Sequence, residues 1–152
     1  MTNTLILGPD SEPEPDACLF ITPECGGQVY VDEDEYLHGA PELIVEVSSS
    51  TESIDLHHKK RDYQKAGVRE YVVLALRLQH VFWFVRQRGK YQDIPLSSDG
   101  IFRSRGFPSL WLDAAALLRH QRPEVLAALR RGLATAEHAT FVAKLAKRAN
   151  HE

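Results

Sequence analysis

The strongest constraint on the fold is the order of the apolar segments around one capped helix. Three runs are rich in β-branched and other apolar residues and predict strands: Glu42–Val47, Glu70–Leu76 and His80–Arg86. After the first run, Leu56–Ala66 predicts a helix, with Asp55 placed as its N-cap and Gly67 placed where a glycine ends a helix. The order strand, helix, strand, strand indicates a mixed α/β domain around a central sheet.

Shorter elements are predicted on both sides of this unit. We expect further strands at Ala17–Ile21, Gln28–Val31 and Tyr91–Ile94, with a hairpin turn at Arg88-Gly89, and an acidic loop at Asp32–Gly39. Helices are expected at Asp113–His120, Pro123–Leu133 and Ala136–Ala149, the last capped by Thr135. We therefore divide the chain into a core, residues 1–112, and a C-terminal helical extension, residues 113–152.

Composition excludes several classes of protein. The 152 residues, 43% of them hydrophobic, are enough for one domain with its own core. No apolar run approaches the ~20 residues that span a bilayer, and the N-terminus lacks the basic start of a signal peptide. We therefore expect a cytoplasmic protein that does not bind membranes. Cys18 and Cys25 lack the spacing of a zinc pair and are expected to be free thiols.

Charge is strongly segregated along the chain. Residues 1–55 contain 13 acids and no Lys or Arg, whereas residues 56–152 contain all 18 Lys and Arg and 8 acids, a formal balance of +10. Such a division suits a site in which carboxylates hold a cation and basic residues hold a nucleic acid backbone. The alternative is that the two halves only complement each other electrostatically.

Two acids are placed for metal chemistry. Asp16 directly precedes the strand at 17–21, and Glu46 lies inside the strand at 42–47, where apolar neighbours predict that it is partly buried. Mg²⁺ is bound by a few carboxylates together with water. Asp10 also follows a proline, but it lies in a Pro-rich segment with no strand after it. His57 and His58 have no metal-ligand spacing and are expected to be exposed.

Several longer segments extend this pattern and carry a resemblance to a known family. They are Ala40–Val47, Asp55–Tyr63, Ala66–Tyr71, Gly100–Ser104, Phe107–Asp113 and Ala136–Ala139. Together they resemble the Uma2 family of restriction endonucleases, within the PD-(D/E)XK superfamily. The resemblance implies a restriction-endonuclease-like fold and Mg²⁺- or Mn²⁺-dependent hydrolysis of DNA, with Asp16 and Glu46 as metal ligands.

The third site residue follows from a departure from the superfamily pattern. Where that pattern has a lysine two positions after the second acid, this chain has Ser48. The resemblance implies that a lysine of the following helix replaces it, and Lys59 is the candidate because Asp55, Lys59 and Tyr63 share one helical face. The alternative is that Asp55 caps the helix, Lys59 pairs with it at the surface and Tyr63 packs.

A second departure concerns the N-terminus. Members of the family usually carry a further N-terminal segment whose helix covers part of the sheet and contributes an acid. We therefore expect an N-terminally short chain that binds DNA, forms homo-oligomers through uncovered apolar surface and cleaves weakly. The alternative function is a catalytically silent nuclease-fold module that binds DNA or a protein.

Overall fold

The computed structural model describes residues 4–50 and 54–150. For Ile54 and Asp55 it describes the backbone only. The strands are β1 (Leu5–Ile6), β2 (Ala17–Leu19), β3 (Tyr30–Val31), β4 (Leu37–His38), β5 (Leu43–Ser48), β6 (Glu70–Ala75), β7 (His80–Gln87), β8 (Lys90–Asp93), β9 (Ile101–Arg103) and β10 (Trp111–Asp113). The α-helices are α1 (Lys60–Ala66), α2 (Ala114–Leu118), α3 (Arg122–Leu133) and α4 (Ala136–Ala149). A 3₁₀ turn covers Pro23–Cys25, and a π-helical segment, Ile54–Lys59, runs directly into α1.

A five-stranded sheet in the order β2-β5-β6-β7-β8 forms the centre of the molecule. Strands β5 and β6 are parallel, so the chain must cross over between them, and the π-helical segment and α1 make that crossover. The other neighbours in this sheet are antiparallel. The β7–β8 turn has Arg88 at φ 50° and Gly89 at φ 83°, the left-handed pair that suits a two-residue hairpin. This arrangement confirms the predicted mixed α/β fold.

Each face of the sheet packs against its own apolar layer because successive side chains of a strand point to opposite sides. On one face Trp83 and Val72 pack with Phe102, and the C-terminal helices add Ala114 and Phe141. On the other face the buried residues are Leu5, Ala40, Ile44, Tyr63, Val68, Tyr71, Val73 and Phe84. Leu5 of β1 is fully buried there, so the N-terminal segment covers part of the face against which α1 lies.

Two predictions in the N-terminal half were incomplete, and some short strands were not predicted at all. Leu37–His38 forms β4 inside the predicted acidic loop, where it pairs with β1 and β3. The predicted strand Gln28–Val31 is reduced to Tyr30–Val31, and the pair β9 and β10 was not predicted. These elements have two or three residues each, so tertiary pairing rather than local pattern decides them.

The C-terminal helices agree closely with prediction. The Asp113 carboxylate accepts a hydrogen bond from the Ala116 amide at 2.9 Å and caps α2, and Thr135 caps α4 in the same way. A β-carbon at Gly132 of α3 would lie 2.1 Å from the Ser109 carbonyl oxygen, so only glycine permits this approach to the end of the β9–β10 connection. The division into a core, residues 1–112, and a C-terminal helical extension, residues 113–152, stays a prediction. None of the helices described has the length and apolar character required to cross a bilayer.

Candidate active site

Glu46 is the centre of a buried polar cluster in the second half of β5. Only 3% of the residue is exposed, as expected for an acid within an apolar strand. The Tyr63 hydroxyl donates a hydrogen bond to Glu46 Oε1 at 2.7 Å. The Lys59 ammonium lies 3.2 Å from Glu46 Oε2. Both oxygens of the carboxylate are therefore contacted by side chains from the crossover between β5 and β6.

The crossover delivers these two side chains because of their spacing. Lys59 ends the π-helical segment and Tyr63 lies four residues later in α1, so both side chains project from one face of the helical segment. Tyr63 is 1% exposed and meets Tyr71 edge to face, with ring centroids 5.2 Å apart. Packing in the core therefore fixes the hydroxyl at the carboxylate. The sequence left open whether Lys59 lies at the site of Glu46 or pairs with Asp55 at the surface. In the structure the Lys59 ammonium lies beside Glu46.

The electrostatics of Glu46 reflect competing effects. Burial raises the pKa of the Glu46 carboxyl above its ordinary value, because removal of water disfavours the charged form. The Tyr63 hydrogen bond and the Lys59 charge act in the opposite direction, and the charge of Asp16 adds to the upward shift. Burial outweighs the opposing effects, and the pKa of the Glu46 carboxyl stays above its ordinary value.

Asp16 directly precedes β2, the strand that pairs with the strand of Glu46. The antiparallel register ends with Ala17 paired to Val45, so Asp16 follows at the end of β5 that carries Glu46, near enough for its charge to act on that carboxyl. The Asp16 Oδ2 atom accepts a hydrogen bond from the Val47 amide at 2.7 Å, which orients the exposed carboxylate. The structure thus brings Asp16, Glu46 and Lys59 to one region of β2, β5 and the crossover.

The remaining candidates lie elsewhere or outside the described part. Asp10 is exposed in the turn between Gly8 and Ser11, and it borders a cavity with Asp62 and Lys65 at the other end of α1. His57 and His58 are exposed, as predicted. The side chain of Asp55 lies outside the described residues, so its predicted N-cap contact is not described.

A second buried acid, Glu70, was missed by sequence reasoning. Its carboxylate accepts hydrogen bonds from Trp83 Nε1 at 2.7 Å and Ser104 Oγ at 3.0 Å, and also from the Gly106 amide. Glu70 pairs with Leu43 in the register, so it lies on the opposite face of the sheet from Glu46. These bonds join β6 to the loop after β9. The sequence does contain a pattern that predicts this buried acid, because Glu70 begins an apolar strand just as Glu46 lies within one.

The donor set fits a hard divalent cation with few protein ligands. Asp16 Oδ1 and the remaining lone pairs of Glu46 are oxygen donors, and Mg²⁺ commonly binds one or two carboxylates and keeps several waters. Within residues 4–50 and 54–150, no group of three or more His, Cys, Asp and Glu is arranged to hold a metal. The described acids therefore provide at most two carboxylate ligands for one metal ion.

Replacement of Tyr63 by phenylalanine should lower the free energy of unfolding by about 1–3 kcal/mol, because a buried carboxylate loses a hydrogen bond. Chemical denaturation of the metal-free protein measures this. Tyr36→Phe is the matched control, since Tyr36 is 38% exposed and should change stability little. Equal stability of Tyr63→Phe and wild type would show that the Tyr63–Glu46 bond contributes nothing net.

Comparison with known proteins bears on this site and on the fold around it. Residues 2–115 match the Uma2 family, described as "Putative restriction endonuclease". The match includes β1 to β10, α1 and every residue of the candidate site. A search of curated proteins found no match. Because the family match covers most of the chain, this protein belongs to the Uma2 family.

Proposed function

We propose that this chain is a Mg²⁺-dependent endonuclease that hydrolyses DNA phosphodiester bonds at Glu46. The observation that carries the proposal is the buried Glu46 carboxylate, contacted by Lys59 and followed in β5 by Val47, whose amide donates a hydrogen bond to the Asp16 carboxylate. Membership of a family of restriction endonucleases supports DNA as the substrate.

Each residue has a distinct role in this proposal. Asp16 and Glu46 would hold the cation, which when bound neutralises phosphate charge and acidifies a water. The Lys59 ammonium would donate hydrogen bonds to phosphate oxygens as negative charge develops there. Lys59 is 37% exposed at its side chain, so it can reach both Glu46 and a bound substrate. Tyr63 acts through Glu46 and is a positioning residue.

The surface formed by α1 and the β7–β8 hairpin suits a nucleic acid backbone. We define the basic surface as Lys60, Arg61, Lys65, Arg86, Arg88 and Lys90, on α1 and the β7–β8 hairpin. The two elements are adjacent, because Arg86 Nε donates to the Gln64 carbonyl of α1 at 2.9 Å and Lys60 Nζ lies 3.7 Å from the centroid of Phe84 on β7. Clustered cations on this surface support a role with nucleic acid over a purely structural one.

Binding of duplex DNA should be weakly selective for sequence and should fall steeply with salt, since phosphate contacts release counterions. If about four phosphates are neutralised, affinity falls by roughly 100-fold between 50 mM and 200 mM salt. Fluorescence anisotropy in EDTA at two salt concentrations measures this. Affinity that does not change with salt would contradict binding through the basic surface.

Plasmid nicking tests the catalytic proposal. With Mg²⁺ or Mn²⁺ the wild type should convert supercoiled plasmid to open circles, and EDTA should stop the conversion. Cleavage in EDTA would exclude a metal-dependent mechanism. Glu46→Gln purified in the same way controls for a contaminating nuclease, and equal cleavage by that variant would exclude this site.

A second candidate function is a DNA-binding module of nuclease fold without catalysis. The favouring observation is that Lys59 and Tyr63 already contact both oxygens of Glu46, so the cluster holds together without a cation. Salt-dependent DNA binding without nicking, and without Mn²⁺ binding, would favour this function. Self-association also stays a prediction, and light scattering during the same experiments measures it.

A further inference from the structure

A second polar cavity lies away from Glu46, at the start of β5 and β6. Its volume is about 410 Å³, within the ~300–1,000 Å³ typical of small-molecule sites. Three cations line it: Arg69, which precedes β6, and Lys144 and Arg148 of α4. Glu42, which borders the cavity, precedes Glu46 by four residues, or about 13 Å along a strand. A ligand here would therefore not be the phosphate attacked at Glu46.

Two glycines in the wall give the arginine side chains room. A β-carbon at Gly26 would lie 2.8 Å from Arg148 Nη1, and one at Gly106 would lie 3.2 Å from Arg69 Cδ. Arg148 Nη1 also donates weakly to the Cys25 carbonyl, at 3.4 Å. Both arginines are exposed, and each lies against a glycine of the cavity wall, so a ligand from solvent can reach them.

The cations have no acidic partner in the described structure. No Asp or Glu of residues 4–50 and 54–150 forms an ion pair with Arg69, Lys144 or Arg148. Glu42 is the one acid among the described lining residues, and its Oε2 accepts a hydrogen bond from the Ile21 amide at 2.8 Å. Three positive groups and one hydrogen-bonded carboxylate leave the cavity with a net positive charge, which favours an anion.

We propose that this cavity is a binding site for a phosphate group. Guanidinium groups present paired N–H donors that match phosphate oxygens, and Lys144 adds a point charge. The phosphate comes either from a small phosphorylated ligand or from the backbone of DNA bound to the protein. Lys144 and Arg148 lie in α4, beyond the residues 2–115 that match the family, so the site joins the family core to this chain's C-terminal helix.

Calorimetric titration of the whole protein tests this at low salt in EDTA, with three separate probes: inorganic phosphate, deoxyadenosine monophosphate and a short DNA duplex. EDTA removes the cation that the nuclease proposal requires, so binding of inorganic phosphate and mononucleotide does not depend on that proposal; for the duplex, which also binds the basic surface, the comparison of Lys144→Glu with Lys147→Glu isolates the cavity. Lys144→Glu should weaken binding at least about 10-fold, the equivalent of one charge-assisted contact. Lys147→Glu is the matched control, because Lys147 lies in the same last turns of α4 but does not line the cavity.

Each outcome decides the proposal. Loss of inorganic phosphate and mononucleotide binding in Lys144→Glu alone supports a small phosphorylated ligand. Loss confined to the duplex in Lys144→Glu alone supports a DNA backbone phosphate. If no probe binds, or if Lys144→Glu and Lys147→Glu weaken binding equally, the cavity is not a phosphate site. Circular dichroism of both variants verifies the fold, and Lys144 is exposed, so its replacement should leave the core unchanged.

Discussion

Replacement of Glu46 by glutamine should abolish both Mn²⁺ binding at the site and plasmid nicking, with a fall in cleavage rate of about 10³-fold or more. The change removes a negative charge from a carboxylate that is 3% exposed, and leaves Asp16 as the one proposed ligand. Loss of an electrostatic contact in a water-poor site typically costs 10²–10³ in rate, and loss of a metal ligand adds to this.

The same variant should remain folded. The Tyr63 hydroxyl can donate to the glutamine carbonyl as it donates to Glu46 Oε1, and the cost of burying a charge disappears. Thermal unfolding of the metal-free protein should therefore show a stability equal to or above that of wild type. Isothermal titration with Mn²⁺ measures the ligand role. Unchanged Mn²⁺ affinity in Glu46→Gln would remove Glu46 from the metal site.

Replacement of Lys59 by methionine should separate catalysis from metal binding. Cleavage should fall by about 10²–10³-fold, because the Lys59 ammonium no longer donates hydrogen bonds to the phosphate oxygens as charge develops there. Mn²⁺ binding should persist or strengthen, since the Lys59 ammonium, 3.2 Å from Glu46 Oε2, no longer competes with the metal ion for the carboxylate. A methionine keeps most of the apolar length of the side chain, so packing changes little.

Lys65→Met is the matched control for this prediction. Lys65 lies on the same helix, and it is exposed beside Asp62, at the end away from Glu46. Its replacement should weaken DNA binding slightly and leave the rate of cleavage at saturating DNA unchanged. If Lys59→Met cleaves as fast as Lys65→Met, the Lys59–Glu46 pair is structural, and the lysine of this nuclease is another residue.

Part of the site follows from sequence spacing. An acid within the apolar run of β5 predicts burial, because water is absent on both sides of a central strand, and Glu46 is buried. The four-residue spacing of Lys59 and Tyr63 predicts one helical face. This spacing does not predict which part of the protein that helical face contacts. The crossover of a parallel strand pair brings α1 onto the face of β5 that carries Glu46, and this is how Tyr63 becomes its hydrogen-bond donor.

The sequence by itself determined the elements whose own pattern is long enough to specify them. Strands β5, β6 and β7, the β7–β8 turn and helices α3 and α4 have periodicity, caps or turn residues that act within a few positions. Only the tertiary structure decided the short strands β1, β4, β9 and β10, the buried network of Glu70 and the cavity that joins Arg69 to Lys144. These depend on contacts between residues far apart in the chain, where pairing and shared burial override local preference.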